Sequence, residues 1–170
     1  QLIKRLHNDK LGLVVFAGQA YVQLPLTTDY SAARMFLSSV NTGMVPVQGT
    51  AIGTAIEVCL ESFDQDATNN KALIIISDGE NHEDDASGAA AAALDEGVSV
   101  HTIGMGSEKG APIPIYKNGA QVGFRQDNTG NTVVTKLNEN MLKDIATAGG
   151  GSYVRANNAN AGLNIIMNEI

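Results

Sequence analysis

Short continuous apolar runs alternate along this chain with stretches in which apolar residues recur every three to four positions, the rhythm of strands followed by helices. The strongest run is Leu73-Ile74-Ile75-Ile76. Its lack of alternation predicts a strand buried on both faces of a parallel sheet. It stops at Ser77-Asp78-Gly79-Glu80. Ligands of open α/β sheets bind outside the carboxyl ends of the strands, which places Asp78 where a site belongs. A plain Asp-Gly turn is the other reading of the same residues.

The remaining chain falls into place around that strand. Gln1–His7 sets Leu2, Ile3 and Leu6 against Lys4 and Arg5, predicting a helix with no capping residue before it. Asn8-Asp9-Lys10 turns the chain into a strand at Leu11–Phe16, and Gly18-Gln19 reverses it into Tyr21–Leu26. Alternation and Pro25 make that second segment an edge strand in a hairpin. Thr28-Asp29 caps a helix carrying Ala33, Phe36, Leu37 and Val40. After a loop at Asn41–Gly49, the positions Ile52, Ala55, Ile56, Cys59, Leu60 and Phe63 form the clearest amphipathic stripe. Cys59 on that stripe reads as a buried small hydrophobe.

Beyond Asp78 an acidic loop, Glu80–Asp85, leads into a helix over Ala86–Glu96, which Gly97 stops in the left-handed conformation. Val98–Ile103 is the next strand, with Val98, Val100 and Ile103 apolar among polar neighbours. Ile113–Lys117 and Ala120–Arg125 flank Asn118-Gly119, a type I′ hairpin signal. With a turn at Asp127–Asn131 and a strand at Thr132–Thr135, they predict a three-stranded antiparallel appendage. Asn138 caps a helix with Met141, Leu142, Ile145 and Ala146 inward, ended by Gly149-Gly150-Gly151. A strand at Ser152–Arg155 and a helix bearing Leu163, Ile166, Met167 and Ile170 close the chain. The expected fold is one α/β domain over residues 1–170: a doubly wound, mostly parallel sheet with helices on both faces, an antiparallel edge strand and a small hairpin appendage.

Composition narrows the function. Lys+Arg of 11 against Asp+Glu of 18 gives a net charge of -7, which disfavours nucleic acid and anionic membrane surfaces, since both select basic patches. One cysteine excludes an internal disulfide. No apolar run approaches the roughly 20 residues of a membrane span.

Two loops converge in this layout. Gly49-Thr50 precedes the helix led by Ile52, and Asp78 ends the following strand, so both project from one sheet edge. A hydroxyl and a carboxylate suit a hard cation that keeps several waters. Gly49-Thr50-Ala51-Ile52-Gly53 and Ile74-Ile75-Ile76-Ser77-Asp78-Gly79-Glu80 resemble the second and third motifs of the von Willebrand factor A (VWA) domain's metal-ion-dependent adhesion site. Leu11–Phe16, Leu26-Thr27-Thr28-Asp29 and Val100-His101-Thr102-Ile103-Gly104 also fit that family. Gly104-Met105-Gly106, Pro112-Ile113-Pro114 and Leu137–Tyr153 are similar to bacterial aerotolerance (Bat-type) membrane proteins.

The resemblance implies that Thr50 and Asp78 are metal ligands, direct or through water, for Mg²⁺ or for Mn²⁺ or Ca²⁺. Thr54 competes with Thr50 but falls one helical turn inside the helix and does not match the family motif. The family's first motif, Asp-x-Ser-x-Ser, belongs on a strand before Gln1 and has no counterpart here, so the expected site is partial and its metal weak or absent in this chain alone. By the same resemblance, the domain is expected to be N-terminally incomplete. Each large apolar side chain contributes about 1.5–3 kcal/mol on burial, so losing a central strand would remove several kcal/mol. The expectation is a fragment of a longer protein whose strand slot is filled by another segment, another chain or rearranged strands.

Other signals carry less. Gly104-x-Gly106 with Gly110 lacks dinucleotide spacing. The acidic run Glu80, Glu83, Asp84, Asp85 lacks calcium-loop spacing and reads as a solvated helix start. His7, His82 and His101 show no metal spacing, although His82 could touch the site's rim. By resemblance the domain is a non-enzymatic interaction module that binds a partner's Asp or Glu through the cation. The implied partners are an AAA-type ATPase and related VWA proteins, and attachment to the cell envelope would run through segments outside this chain. The alternatives are a metal-dependent hydrolase with Asp78 as ligand and Glu80 as base, and a metal-independent structural scaffold.

Overall fold

The computed structural model describes residues 2–41, 44–47, 49–64, 69–80, 84–117, 119–127, 129–156 and 159–170. The first unit is a hairpin. Strand β1 (Leu11–Phe16) runs antiparallel to β2 (Ala20–Thr27), from Leu11 opposite Thr27 to Phe16 opposite Ala20. Helix α1 (Tyr30–Ser39) begins at Asp29, whose carboxylate accepts the Ser31 and Ala32 amides at 2.9 and 3.0 Å. That cap supplies acceptors for amides that lack intrahelical partners. Ala33 is buried where α1 packs against the hairpin.

The second unit is parallel. Helix α2 (Ile52–Glu61), β3 (Lys71–Ser77), α3 (Ala86–Asp95) and β4 (Val98–Gly104) follow in order. The appendage comes next, with β5 (Ala111–Pro112), β6 (Pro114–Lys117), β7 (Ala120–Phe124) and β8 (Val134–Thr135). Then α4 (Glu139–Ala148), β9 (Gly150–Arg155) and α5 (Ala159–Glu169) complete the chain. The parallel sheet has the order β3-β4-β9, and β3 pairs with β4 without interruption from Lys71–Val98 to Ser77–Gly104.

One core joins α2, α3 and α4 to this sheet. The α2 stripe buries Ile52, Ile56 and Leu60 against Leu73, Ile75, Val98, Val100 and Ile145, as its spacing requires. Ala90 and Ala93 are fully buried and let α3 approach closely. On this face Thr102 donates its hydroxyl to the Leu142 carbonyl of α4 at 2.8 Å. Cys59 is partly buried against the core, and burial pushes its thiol up to about 11.

Helix α5 packs on β9, on the other face. There His101 is buried, with Nδ1 accepting the Ser152 amide at 3.1 Å and Nε2 lying 3.2 Å from the Ser99 hydroxyl. Accepting at Nδ1 makes the imidazole neutral with its proton on Nε2. Burial lowers its pKa from 6.5, while Glu169, 3.6 Å from Nδ1, opposes that shift.

The structure corrects the sequence reading at four places. Residues Leu2–Lys4 form a single 3-10 turn rather than a helix to His7; Asn8 has φ of 67°, so the chain has already turned away. Strand β3 is not buried on both faces: Leu73 and Ile75 are buried, whereas Ile76 is 54% exposed. The appendage is four short strands in two pairs, β5-β8 and β6-β7, rather than three. Finally, β4 is buried at His101 and Thr102, positions that read as polar neighbours of the apolar ones. Gln1 and Asn118 lie outside the described residues.

The exposure of Ile76 has a structural cause. Among the described residues, β1 and β3 form no ladder with each other, and the hairpin and the parallel sheet stand as separate sheets. Between them lies an apolar cavity of about 380 Å³, lined by Leu11, Leu13 and Val14 on one side and Leu73 to Ile76 on the other.

Candidate metal and partner site

Asp78 follows β3 and is held from several directions. Its carbonyl accepts the Asn138 amide at 2.7 Å, and the Ser77 carbonyl accepts the Met105 amide at 2.9 Å. The Ser77 hydroxyl accepts the Gly79 amide at 3.0 Å, and the Asp78 carboxylate accepts the Glu80 amide at 3.3 Å. Gly79 has φ of 73°, and a Cβ there would lie 2.6 Å from the Asn138 carbonyl oxygen. Both the backbone angle and the closeness demand glycine. Asn138 meanwhile caps α4 through the Met141 amide at 3.2 Å, so the Asp78 loop and the start of α4 lock together.

Glu80 takes part in the same brace. Its carboxylate accepts the Lys136 amide at 2.9 Å, an orienting role for the residue weighed as a base. Among the described residues, no group of three or more His, Cys, Asp or Glu side chains could hold a metal ion.

Thr50 sits on the hairpin side. The Gly18 amide donates to the Val47 carbonyl at 3.0 Å, and the Ala51 amide donates to the Ala17 carbonyl at 2.7 Å. These bonds lean the segment before α2 against the β1-β2 turn. Thr50 and Asp78 line one cavity of about 460 Å³, together with Gly49, Ser77, Met105 and residues of β1. Two loops 28 positions apart are thus brought to one place.

The donors there are oxygens, which suits a hard cation with water in its remaining positions. Asp78 is short of stabilisation as an anion: burial raises its pKa first, the nearby Glu80 charge adds to the rise, and the Glu80 amide opposes it. A cation would relieve that deficit. One carboxylate and one hydroxyl fit a weakly held ion rather than a tight one.

Thr54 is engaged elsewhere, and its engagement shows what the sequence reading missed. Asp84 accepts the Gly53 amide at 3.0 Å, the Thr54 amide at 2.8 Å and the Thr54 hydroxyl at 3.2 Å. Of the acidic run, Asp85 does start a helix, accepting the Gly88 amide of α3 at 2.9 Å. Asp84 instead serves α2, so the reading as a solvated helix start holds for Asp85 and is corrected for Asp84. The available signal was Ala51, an N-cap with no side-chain acceptor, which leaves the first turn of α2 in need of one. His82 and Glu83 lie outside the described residues.

The model of the von Willebrand factor type A domain matches residues 1–167. The chain belongs to that family. As a VWA domain it is similar to the crystal structure of an aerotolerance-related membrane protein from Bacteroides fragilis, with 44% identity and a TM-score of 0.91, covering 99% of this chain and 84% of that one. It is also similar to BatB, a conserved hypothetical protein from Bacteroides thetaiotaomicron, with 45% identity and a TM-score of 0.92 over 99% of this chain and 80% of that one. An uncharacterized protein of Borreliella burgdorferi is 28% identical over 109 residues, which are 63% of this chain and 32% of that protein. The VWA domain thus spans about a third of the length of that curated relative. Among the described residues, no helix is long and apolar enough to cross a membrane.

Proposed function

We propose that this VWA domain is a non-enzymatic interaction module that captures a protein partner through a divalent cation held between Thr50 and Asp78. The observation that carries this reading is the meeting of both residues in one cavity, with the Asp78 carboxylate raised by burial. Thr50 would offer its hydroxyl and Asp78 its carboxylate to Mg²⁺, Mn²⁺ or Ca²⁺, and a partner's Asp or Glu would complete the coordination. The cation supplies charge compensation between two carboxylates that would otherwise repel.

The apolar cavity between β1 and β3 supports a composite site. A strand seated there parallel to β3 would end beside Asp78, where its last residues could add oxygen ligands. We further propose an AAA-type ATPase or related VWA proteins as partners, and, from the similarity to an aerotolerance-related membrane protein, attachment to the cell envelope through other segments. A metal-independent scaffold is the second reading, favoured by the scarcity of ligands. The test is partner capture by the full-length protein with and without EDTA, using Asp78→Ala as control. Capture that needs the metal and Asp78 supports the first reading; capture indifferent to both supports the second.

A further inference from the structure

We infer that Asp84 is a positioning residue for the Thr50–Asp78 site, bridging the segment before α3 to the first turn of α2 and neutralising the positive end of that helix. The inference rests on the proposed function for its cation, but its geometry is independent of it. The two carboxylate oxygens divide the work: Oδ1 takes the Gly53 amide, and Oδ2 takes both the amide and the hydroxyl of Thr54. A fork of this kind fixes orientation as well as distance. Gly53 is part of the fit, because a Cβ there would stand 3.0 Å from the Asp84 carboxyl carbon.

The consequence reaches Thr50 through the covalent chain. Thr50 directly precedes Ala51, the N-cap of α2, so fixing Gly53 and Thr54 fixes the turn that carries Thr50. On the other side, Asp84 adjoins Asp85, which caps α3, so the bridge is anchored in the parallel half that also carries Asp78. Electrostatics adds a second role. The amides at a helix start amount to about half a positive charge. Left bare one turn from Thr50, they would repel a divalent cation; a carboxylate seated on them removes that repulsion.

The test uses the full-length protein in wild-type, Asp84→Ala, Asp84→Asn, Thr54→Val and Asp78→Ala forms. The first readout is amide hydrogen exchange without metal. Asp84→Ala should speed exchange at Gly53 and Thr54 and also across residues 49–51 and 78–80, with Thr54→Val giving a milder version of the same pattern. Acceleration confined to Gly53 and Thr54 would overturn the positioning role, whatever the metal does. The second readout is Mn²⁺ affinity. Asp84→Asn keeps an acceptor oxygen but loses the charge, and should weaken Mn²⁺ about two- to fivefold, the range of a helix-end charge. An unchanged affinity in Asp84→Asn, beside loss in Asp78→Ala, would overturn the electrostatic role. A wild-type protein that binds no Mn²⁺ would refute the proposed cation and, with it, the electrostatic role, while the exchange pattern would still decide the positioning role.

Discussion

The two halves of this domain are held in different ways. In the parallel half, β3, β4 and β9 share ladders, and one core binds them to α2, α3 and α4. In the hairpin half, β1 and β2 pair with each other, and an apolar cavity separates β1 from β3. Asp78 belongs to the first half and Thr50 leans on the second. The candidate site therefore straddles the seam. Its geometry depends on α2 and on Asp84, rather than on continuous strand pairing.

Substitutions along β3 sharpen that contrast most strongly. Leu73→Ala and Ile75→Ala remove buried side chains and should each cost about 2–5 kcal/mol by denaturant unfolding. Ile76→Ala, at a position 54% exposed beside the cavity, should cost under about 1 kcal/mol. Equal losses would mean that the seam is closed and the two halves share one ladder. Next in size is Gly79→Ala, which places a Cβ against Asn138 at a positive φ. It should cost about 1–3 kcal/mol and speed amide exchange from residue 78 to residue 80 while sparing Thr50. Exchange that also rises around Thr50 would show the two sides of the site coupled more tightly than these contacts describe.

A pH effect belongs to the parallel half. His101 is neutral in the folded state and its pKa lies below the ordinary 6.5. The unfolded chain therefore binds the proton first, and stability is lost as pH falls below about 6.5, until the folded-state value is reached. His101→Gln should flatten this slope in thermal melts between pH 7 and 5. A slope that persists in the variant would assign it to another group. The smallest effect is at Cys59, whose thiol is pushed up to about 11. It should react slowly with a disulfide reagent at pH 8 in the folded protein and rapidly once unfolded.

What the sequence made legible was local. The stripe from Ile52 to Phe63 and the abrupt end of β3 at Asp78 follow from periodicity and turn chemistry, and both stand in the structure. Thr50 and Asp78 were placed together because each follows from its own element's end. Asp84 was not legible, since its partners lie 30 and 31 residues earlier and its neighbours made it look like part of a solvated acidic start. Ile76 misled because a continuous apolar run does not record which of its faces another element covers. The burial of His101 depends on α5 and β9, which the residues around it do not announce.

The most direct test of the central claim is a calorimetric Mg²⁺ and Mn²⁺ titration of the full-length protein and its Asp78→Ala variant, each repeated with the captured partner present. Weak cation binding should tighten with the partner and disappear in Asp78→Ala. Partner capture of equal strength in EDTA and in Asp78→Ala would contradict it and make the domain a metal-independent scaffold.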